Sequence, residues 1–195
     1  VSVFYSNFGG GAVLAYVAMG NSEFIWKFTG ASSTTVWTQH KSLYATAFAK
    51  VGREFYRAHS TNTLAKCDTD SDPWDADNWG ATNAFTIGDK ASSINRLIVT
   101  ATGGMIVAKT DGMYTLDALG EDHEIFPFLR IATAAHNGKA YGTWLNDVYI
   151  NYGDGLYKLS SDNVLDQVGP EQMTSNTSVV KGRITAVCGH DTYNL

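Results

Sequence analysis

The sequence predicts an all-β fold: a β-propeller of about four four-stranded blades plus the first strand of a fifth, forming part of a larger propeller. Three observations predict it. Short runs rich in β-branched and aromatic residues are separated by Gly, Asn, Asp and Ser clusters, and Gly is abundant (19) where Pro is scarce (3). A strand–turn–strand unit recurs along the chain. Its spacing matches the size of one four-stranded blade.

The recurring unit is a hairpin. It reads YVAMGNSEFIWKF at 16–28, YRAHSTNTLAKC at 56–67, IVAKTDGMYTL at 106–116 and YINYGDGLYKL at 149–159. The turns are expected at Gly20-Asn21, Thr61-Asn62, Asp111-Gly112 and Asp154-Gly155. Asp-Gly between apolar runs is the signature of a type I′ turn, which needs φ > 0 at both central residues. With Phe28, Cys67, Leu116 and Leu159 taken as equivalent, the intervals are 39, 49 and 43 residues.

Each hairpin is preceded by a strand suited to the crowded ring centre: VSVFYS (1–6), SLYATAFA (42–49), INRLIVTA (94–101), KAYGTWL (139–145) and RITAVC (183–188). Each is followed by an outer strand: TTVWT (34–38), NAFTIG (83–88), EIFPFL (124–129) and NVLDQVG (163–169). Pro127 falls in one of these, where a missing N–H is tolerated at a sheet edge. The blades are expected at about 1–40, 41–90, 91–130 and 131–175, with a partial blade at 183–195, all in one propeller region spanning 1–195. Tyr44, Phe48, Val51 and Phe55 fall at helical spacing, but Gly52 interrupts them and the repeat places strands there. The chain starts in a strand and stops inside a new unit, which predicts a piece of a longer propeller.

Composition narrows the function classes. A net charge of −5, with Lys and Arg scattered singly, argues against nucleic acid, which requires a basic face. No apolar run approaches the ~18 residues of a membrane-spanning helix, so no membrane insertion is expected. Cys67 and Cys188 lie far apart without a CxxC, and the reading favours two buried thiols over a disulfide.

The sites of chemistry are few. The loop after Cys67 carries Asp68, Asp70, Asp72, Asp75 and Asp77 at spacing that resembles the start of a calcium loop. Pro73 stands where such a loop needs Gly, and Trp79 where it needs a bidentate Glu, so a solvated inter-strand loop is favoured. Trp74 and Trp79 either fold back over the blade edge or offer a sugar-stacking surface. Trp74, Trp79, Asp70 and Asp72 are therefore the ligand-binding candidates. The five histidines form no HExxH or i, i+4 pair, and Glu121-Asp122-His123-Glu124 reads as a polar turn, so no metal is expected. No GxSxG, P-loop or motif cysteine is present. Glu54, Asp111 and Asp154 are the carboxylates nearest to a glycosidase arrangement, but hairpin turns account for the last two. The reading is thus no catalytic residue, no cofactor and no enzyme.

Five segments carry a resemblance: Ile94-Asn-Arg-Leu, Val107-Ala-Lys-Thr-Asp-Gly-Met-Tyr, Gly153-Asp-Gly-Leu-Tyr, Leu165-Asp-Gln-Val-Gly-Pro-Glu and Gly182-Arg-Ile-Thr-Ala-Val. This series resembles the propeller-type structural proteins of tailed bacteriophages and related metagenomic sequences, more closely over 75–195 than over 1–74. The resemblance carries no catalytic residues. It implies a non-enzymatic virion or tail-associated component, located on the extracellular particle, that serves structure or host-surface adhesion. Its partners would be other virion proteins or further blades. A carbohydrate-binding, lectin-like propeller recognising surface glycans is the alternative.

Overall fold

The computed structural model describes residues 2–6, 14–28, 37–59, 61–68, 71–80, 83–88, 91–116, 122–124, 136–152, 155–160 and 164–168. These residues build four antiparallel four-stranded sheets, each from strands consecutive in the chain. Blade 1 holds β1 (Ser2–Ser6), β2 (Leu14–Ala18), β3 (Gly20–Phe28) and β4 (Trp37–Ala45). Blade 2 holds β5 (Ala47–Val51), β6 (Glu54–His59), β7 (Thr63–Lys66) and β8 (Ala84–Thr86). Blade 3 holds β9 (Ile94–Val99), β10 (Met105–Lys109), β11 (Met113–Leu116) and β12 (Asp122–Glu124). Blade 4 holds β13 (Tyr141–Trp144), β14 (Asp147–Tyr152), β15 (Gly155–Leu159) and β16 (Leu165–Gln167). The first strands lie side by side, β1 beside β5 and β5 beside β9, which places them at the axis of a β-propeller.

Side chains alternate between the two faces of each sheet, and both faces are used. We call the face turned to the preceding blade leading and the other trailing. In β10 every residue is buried. Met105 and Val107 face blade 2, in a cluster with Ala47, Ala49, Ala58 and Leu64. Ile106 and Ala108 face blade 4, in a cluster with Val148, Ile150, Tyr152 and Tyr157. The cluster between blades 1 and 2 joins Tyr16, Ala18, Ile25 and Leu43 to Phe48, Phe55, Cys67 and Trp79. Each large side chain buried in these seams contributes about 1.5–3 kcal/mol. One blade cannot cover its own faces, so the seams form the core of the molecule.

Two backbone positions show how the chain meets these constraints. Val51 pairs with Glu54 across a two-residue turn, and Gly52 there has φ +59. Residues 44–55 are accordingly strand, turn and strand. Gly138 has φ +70 and lies so close to Ala108 that a Cβ would collide with the Cβ of that alanine. It lets the connection into blade 4 pass directly over blade 3.

Several boundaries differ from expectation. The segment 42–49 is the end of one strand and the start of another, because a single residue, Thr46, joins β4 to β5. Blade 1 therefore extends to Ala45. At Asp111-Gly112 the strands close at Ala108 and Met113, and the Lys109 N–H donates to the Gly112 carbonyl at 2.8 Å. Neither Asp111 nor Gly112 has positive φ, so this is a four-residue loop and not a type I′ turn. In blade 4 Tyr152 pairs with Gly155, so Gly155 belongs to the strand and not to the turn, and Asp154 lies outside the described residues. Residues 122–124 form a strand where a polar turn is expected, since they pair with β11. The expected strand 183–188, the partial blade 183–195 and Pro127 lie outside the described residues.

Candidate functional site

In a four-stranded meander the first and third turns lie at one end of the blade. The loop joining β7 to β8 is therefore at the same end as the Gly52 turn, and it reaches across to blade 1. This loop holds the sequence-predicted ligand residues. Asp72 Oδ1 accepts from the Tyr16 hydroxyl at 3.1 Å and from the Trp74 N–H at 2.9 Å. The Asp75 carboxylate accepts from the Asp77 N–H at 3.0 Å and caps the one-turn 3-10 helix Ala76–Asn78. Asp68 Oδ1 accepts from Asn83 Nδ2 at 2.7 Å, closing the base of the loop. These carboxylates serve local turns and the contact to blade 1. Asp70 lies outside the described residues.

Both tryptophans fold back on the blade. Trp79 is buried in the seam between blades 1 and 2, and its indole N–H donates to the Pro73 carbonyl at 3.0 Å. The Arg57 guanidinium lies over its ring at 4.8 Å. Trp74 is half-buried. Lys27 Nζ sits 4.8 Å from its ring centroid, and the His40 ring meets it edge-on at 4.7 Å.

Four residues that no linear pattern singles out complete this junction: Tyr16, Lys27, His40 and Arg57. They come from β2, β3, β4 and β6, and the blade register brings them together at the loop. His40 Nδ1 accepts from the N–H groups of Ser42 (3.0 Å) and Leu43 (2.8 Å). Its proton is therefore on Nε2, which donates to the Trp74 carbonyl at 2.9 Å. Burial is the main cause that holds His40 below the usual histidine range. His59 is pushed down to about 4, first by burial and then by Arg57. Cys67 is a free, buried thiol pushed up to about 12 by burial, with Asp68 and Asp72 adding to the shift. Burial and Asp72 raise the Tyr16 hydroxyl as well. His40, His59, Cys67 and Tyr16 are thus uncharged at neutral pH, and Cys67 is not a thiolate nucleophile there.

The seams of blade 3 hold a second polar group. Lys109 is fully buried, and its Nζ donates to the Ile87 carbonyl at 2.5 Å and lies 3.8 Å from Asp111 Oδ1. Asn137 Nδ2 donates to the Thr110 carbonyl at 3.0 Å, and Asn95 Nδ2 donates to the Asn137 carbonyl at 2.8 Å. Asn151 Oδ1 accepts from the Ala140 N–H at 2.8 Å while its Nδ2 donates to the His136 carbonyl at 2.7 Å. These bonds stitch the hairpin tips to the connections between blades. Glu54 accepts from the Tyr56 hydroxyl (2.8 Å) and pairs with Lys66 (3.2 Å) at the end of blade 2 that holds the Gly52 turn.

This architecture defines the class: a segment of a β-propeller. No protein-family model and no curated protein matches the sequence. Solved structures do match. Virginiamycin B lyase from Staphylococcus aureus superposes with a TM-score of 0.56 at 8% identity, over 87% of this chain and 55% of the lyase. A streptogramin B lyase gives 0.55 at 9% identity, over 94% of this chain and 57% of the enzyme. The extracellular domain of BT4673 from B. thetaiotaomicron gives 0.55 at 12% identity, over 95% of this chain and 24% of that one. The chain therefore spans about half the length of the lyases it matches, and the likeness is one of fold.

The comparison corrects one expectation, that the chain is not an enzyme: its structural neighbours include lyases. The absence of a linear catalytic motif does not exclude enzymes from this fold. Catalytic groups are recognised by geometry, and loops from separate blades bring them together from distant parts of the chain.

Proposed function

We propose that this chain is a rigid display segment of a larger propeller, carried on a tailed-phage particle as a structural or host-surface adhesion component. One observation supports the reading most. Polar side chains at the described blade junctions hold the blades to one another: His40, Lys109, Asn137 and Asn151 each bond to backbone of another blade or of an inter-blade connection, and Asp72 accepts from the Tyr16 hydroxyl of blade 1. Such a frame presents its loops on a fixed scaffold, as surface recognition requires. Mass spectrometry of purified particles from a phage that encodes the chain tests the reading. Its presence among the particle components is expected, and its absence overturns the proposal.

The fold comparisons favour a second reading, in which loops of several blades assemble a small-molecule site as in a propeller lyase. Incubation with virginiamycin B, followed by mass spectrometry of the antibiotic, separates the two. Conversion of the compound supports the second reading, and recovery of intact compound removes it.

A further inference from the structure

His40 sits at a break in the ladder of blade 1. Trp26 on β3 pairs with Gln39 on β4, and Phe24 with Tyr44, so His40, Lys41, Ser42 and Leu43 bulge out opposite Ile25. The N–H groups of Ser42 and Leu43 in this bulge donate to His40 Nδ1 at 3.0 and 2.8 Å. The other ring nitrogen donates at 2.9 Å to the Trp74 carbonyl, on the loop that comes across from blade 2. One neutral imidazole therefore fixes both the bulge and the loop. Among the described residues the same part of the loop also meets blade 1 through Asp72, which accepts from Tyr16 at 3.1 Å, and through the Trp74 ring, 4.8 Å from Lys27 Nζ.

This arrangement tolerates only the neutral ring. An imidazolium carries a proton on both nitrogens, and a proton on Nδ1 points straight at two N–H donors. Turning the ring away from them withdraws the donor from the Trp74 carbonyl. The charges around the ring act the same way. Burial opposes the charged ring most. Arg57 of β6 and Lys27 of β3 add to this, while the Trp74 carbonyl and Asp75 of the loop favour charge. Asp72 and the Tyr16 hydroxyl of β2 are engaged with each other, and Lys41 beside the ring is exposed. The folded ring thus binds a proton less readily than the free side chain, whose ordinary value is 6.5. A contact that needs the neutral ring is present above that pH and lost as pH falls below it.

We propose that His40 is an acid-sensitive catch: a proton on Nδ1 turns its ring and releases the Trp74 side of the loop from blade 1. Acid thereby uncovers an aromatic side chain that is half-buried at neutral pH. The blades themselves stay stacked, because the seam residues beneath the loop are apolar. The device goes beyond the proposed display role and does not depend on it.

Heteronuclear NMR of the full chain, titrated downward from neutral pH, tests the catch. At neutral pH the His40 ring nitrogens should report a proton on Nε2 alone, with cross-peaks between the Trp74 ring and the Lys27 side chain. As Nδ1 gains its proton, those cross-peaks should vanish with the same midpoint, while amides in β6, β10 and β14 stay protected. Cross-peaks that persist once His40 is charged overturn the proposal, and so does a ring that stays neutral until the chain unfolds. His40→Asn keeps an acceptor for Ser42 and Leu43 but is too short to reach Trp74. The cross-peaks should be absent from it at every pH, and their presence overturns the proposal as well. Two further variants separate other triggers. His59→Gln removes the histidine that also faces Arg57, and the transition should remain. Asp75→Asn keeps an acceptor for the Asp77 N–H but removes a charge that favours the imidazolium, so the midpoint should move to lower pH. Loss of the transition in either variant assigns it to that other group and overturns the proposal.

Discussion

Two glycines with similar positive φ differ in what surrounds them. A Cβ at Gly52 meets nothing within 4 Å, so only the backbone conformation opposes a side chain there. At Gly138 a Cβ meets Ala108 as well. Gly52→Ala should cost about 1 kcal/mol, and Gly138→Ala about 2–3 kcal/mol because seam packing is disrupted too. Urea unfolding of the two variants checks the order, which equal losses would contradict. Histidine chemistry acts at this scale as well. His59 stays neutral in the fold down to about pH 4, against an ordinary value of 6.5. Below 6.5 the unfolded chain binds a proton that the folded chain does not, so stability present above that pH is lost progressively as pH falls toward 4. His59→Gln should flatten the dependence of the urea midpoint over that window. An unchanged slope would mean that His59 is not buried neutral.

At the level of elements, blade 2 departs from its neighbours at one position. Where blades 1, 3 and 4 place Trp26, Tyr114 and Tyr157 on the third strand, blade 2 has Ala65, opposite Arg57. Trp79 enters the same seam from the long loop and lies against Arg57, restoring the missing aromatic bulk. Trp79→Ala should therefore cost about 3–5 kcal/mol, as expected for a large core truncation. Chemical denaturation measures it, and a loss under 1 kcal/mol would place Trp79 outside the core. This substitution explains why the tryptophan reads ambiguously in sequence: a Trp in an acidic loop looks like a surface ligand contact. Its role becomes visible only when Ala65 is set against the aromatic residues of the other blades. The hairpins themselves were legible, because alternating apolar residues around polar turns carry both period and register. An Asp-Gly dipeptide marks where a chain can reverse, while cross-strand packing decides where it does: Ala108 pairs with Met113, and Tyr152 with Gly155.

For the molecule as a whole, the blade repeat was legible and the junctions were not. A period near the size of one blade survives in the sequence because every blade must fill two seams with the same two-faced pattern. His40, Arg57, Lys109 and Asn151 are single residues within that pattern, and their partners lie on loops, strand ends or inter-blade connections that the pattern does not specify. The passage from β4 to β5 was hidden for a related reason: with only Thr46 between them, an outer and an inner strand read as one apolar run.

Blade stacking underlies the proposed display role, and amide hydrogen exchange measured residue by residue by NMR tests it most directly. The amides of Ile87, Ile94, Thr110 and Gly138 lie outside strand interiors, yet they donate to the Asn62, Thr61, Ser93 and Asn151 carbonyls at 3.0, 2.8, 3.0 and 2.9 Å. The Ile94–Thr61 bond runs from the first residue of blade 3 to the hairpin tip of blade 2 and exists only if the two blades are stacked, while the other three hold the connections onto their own blades. The account predicts that all four exchange as slowly as amides in the middle of β6, β10 and β14. Exchange of the Ile94 amide at the rate of open loops, with the strands still protected, would contradict the stacking of blade 3 on blade 2.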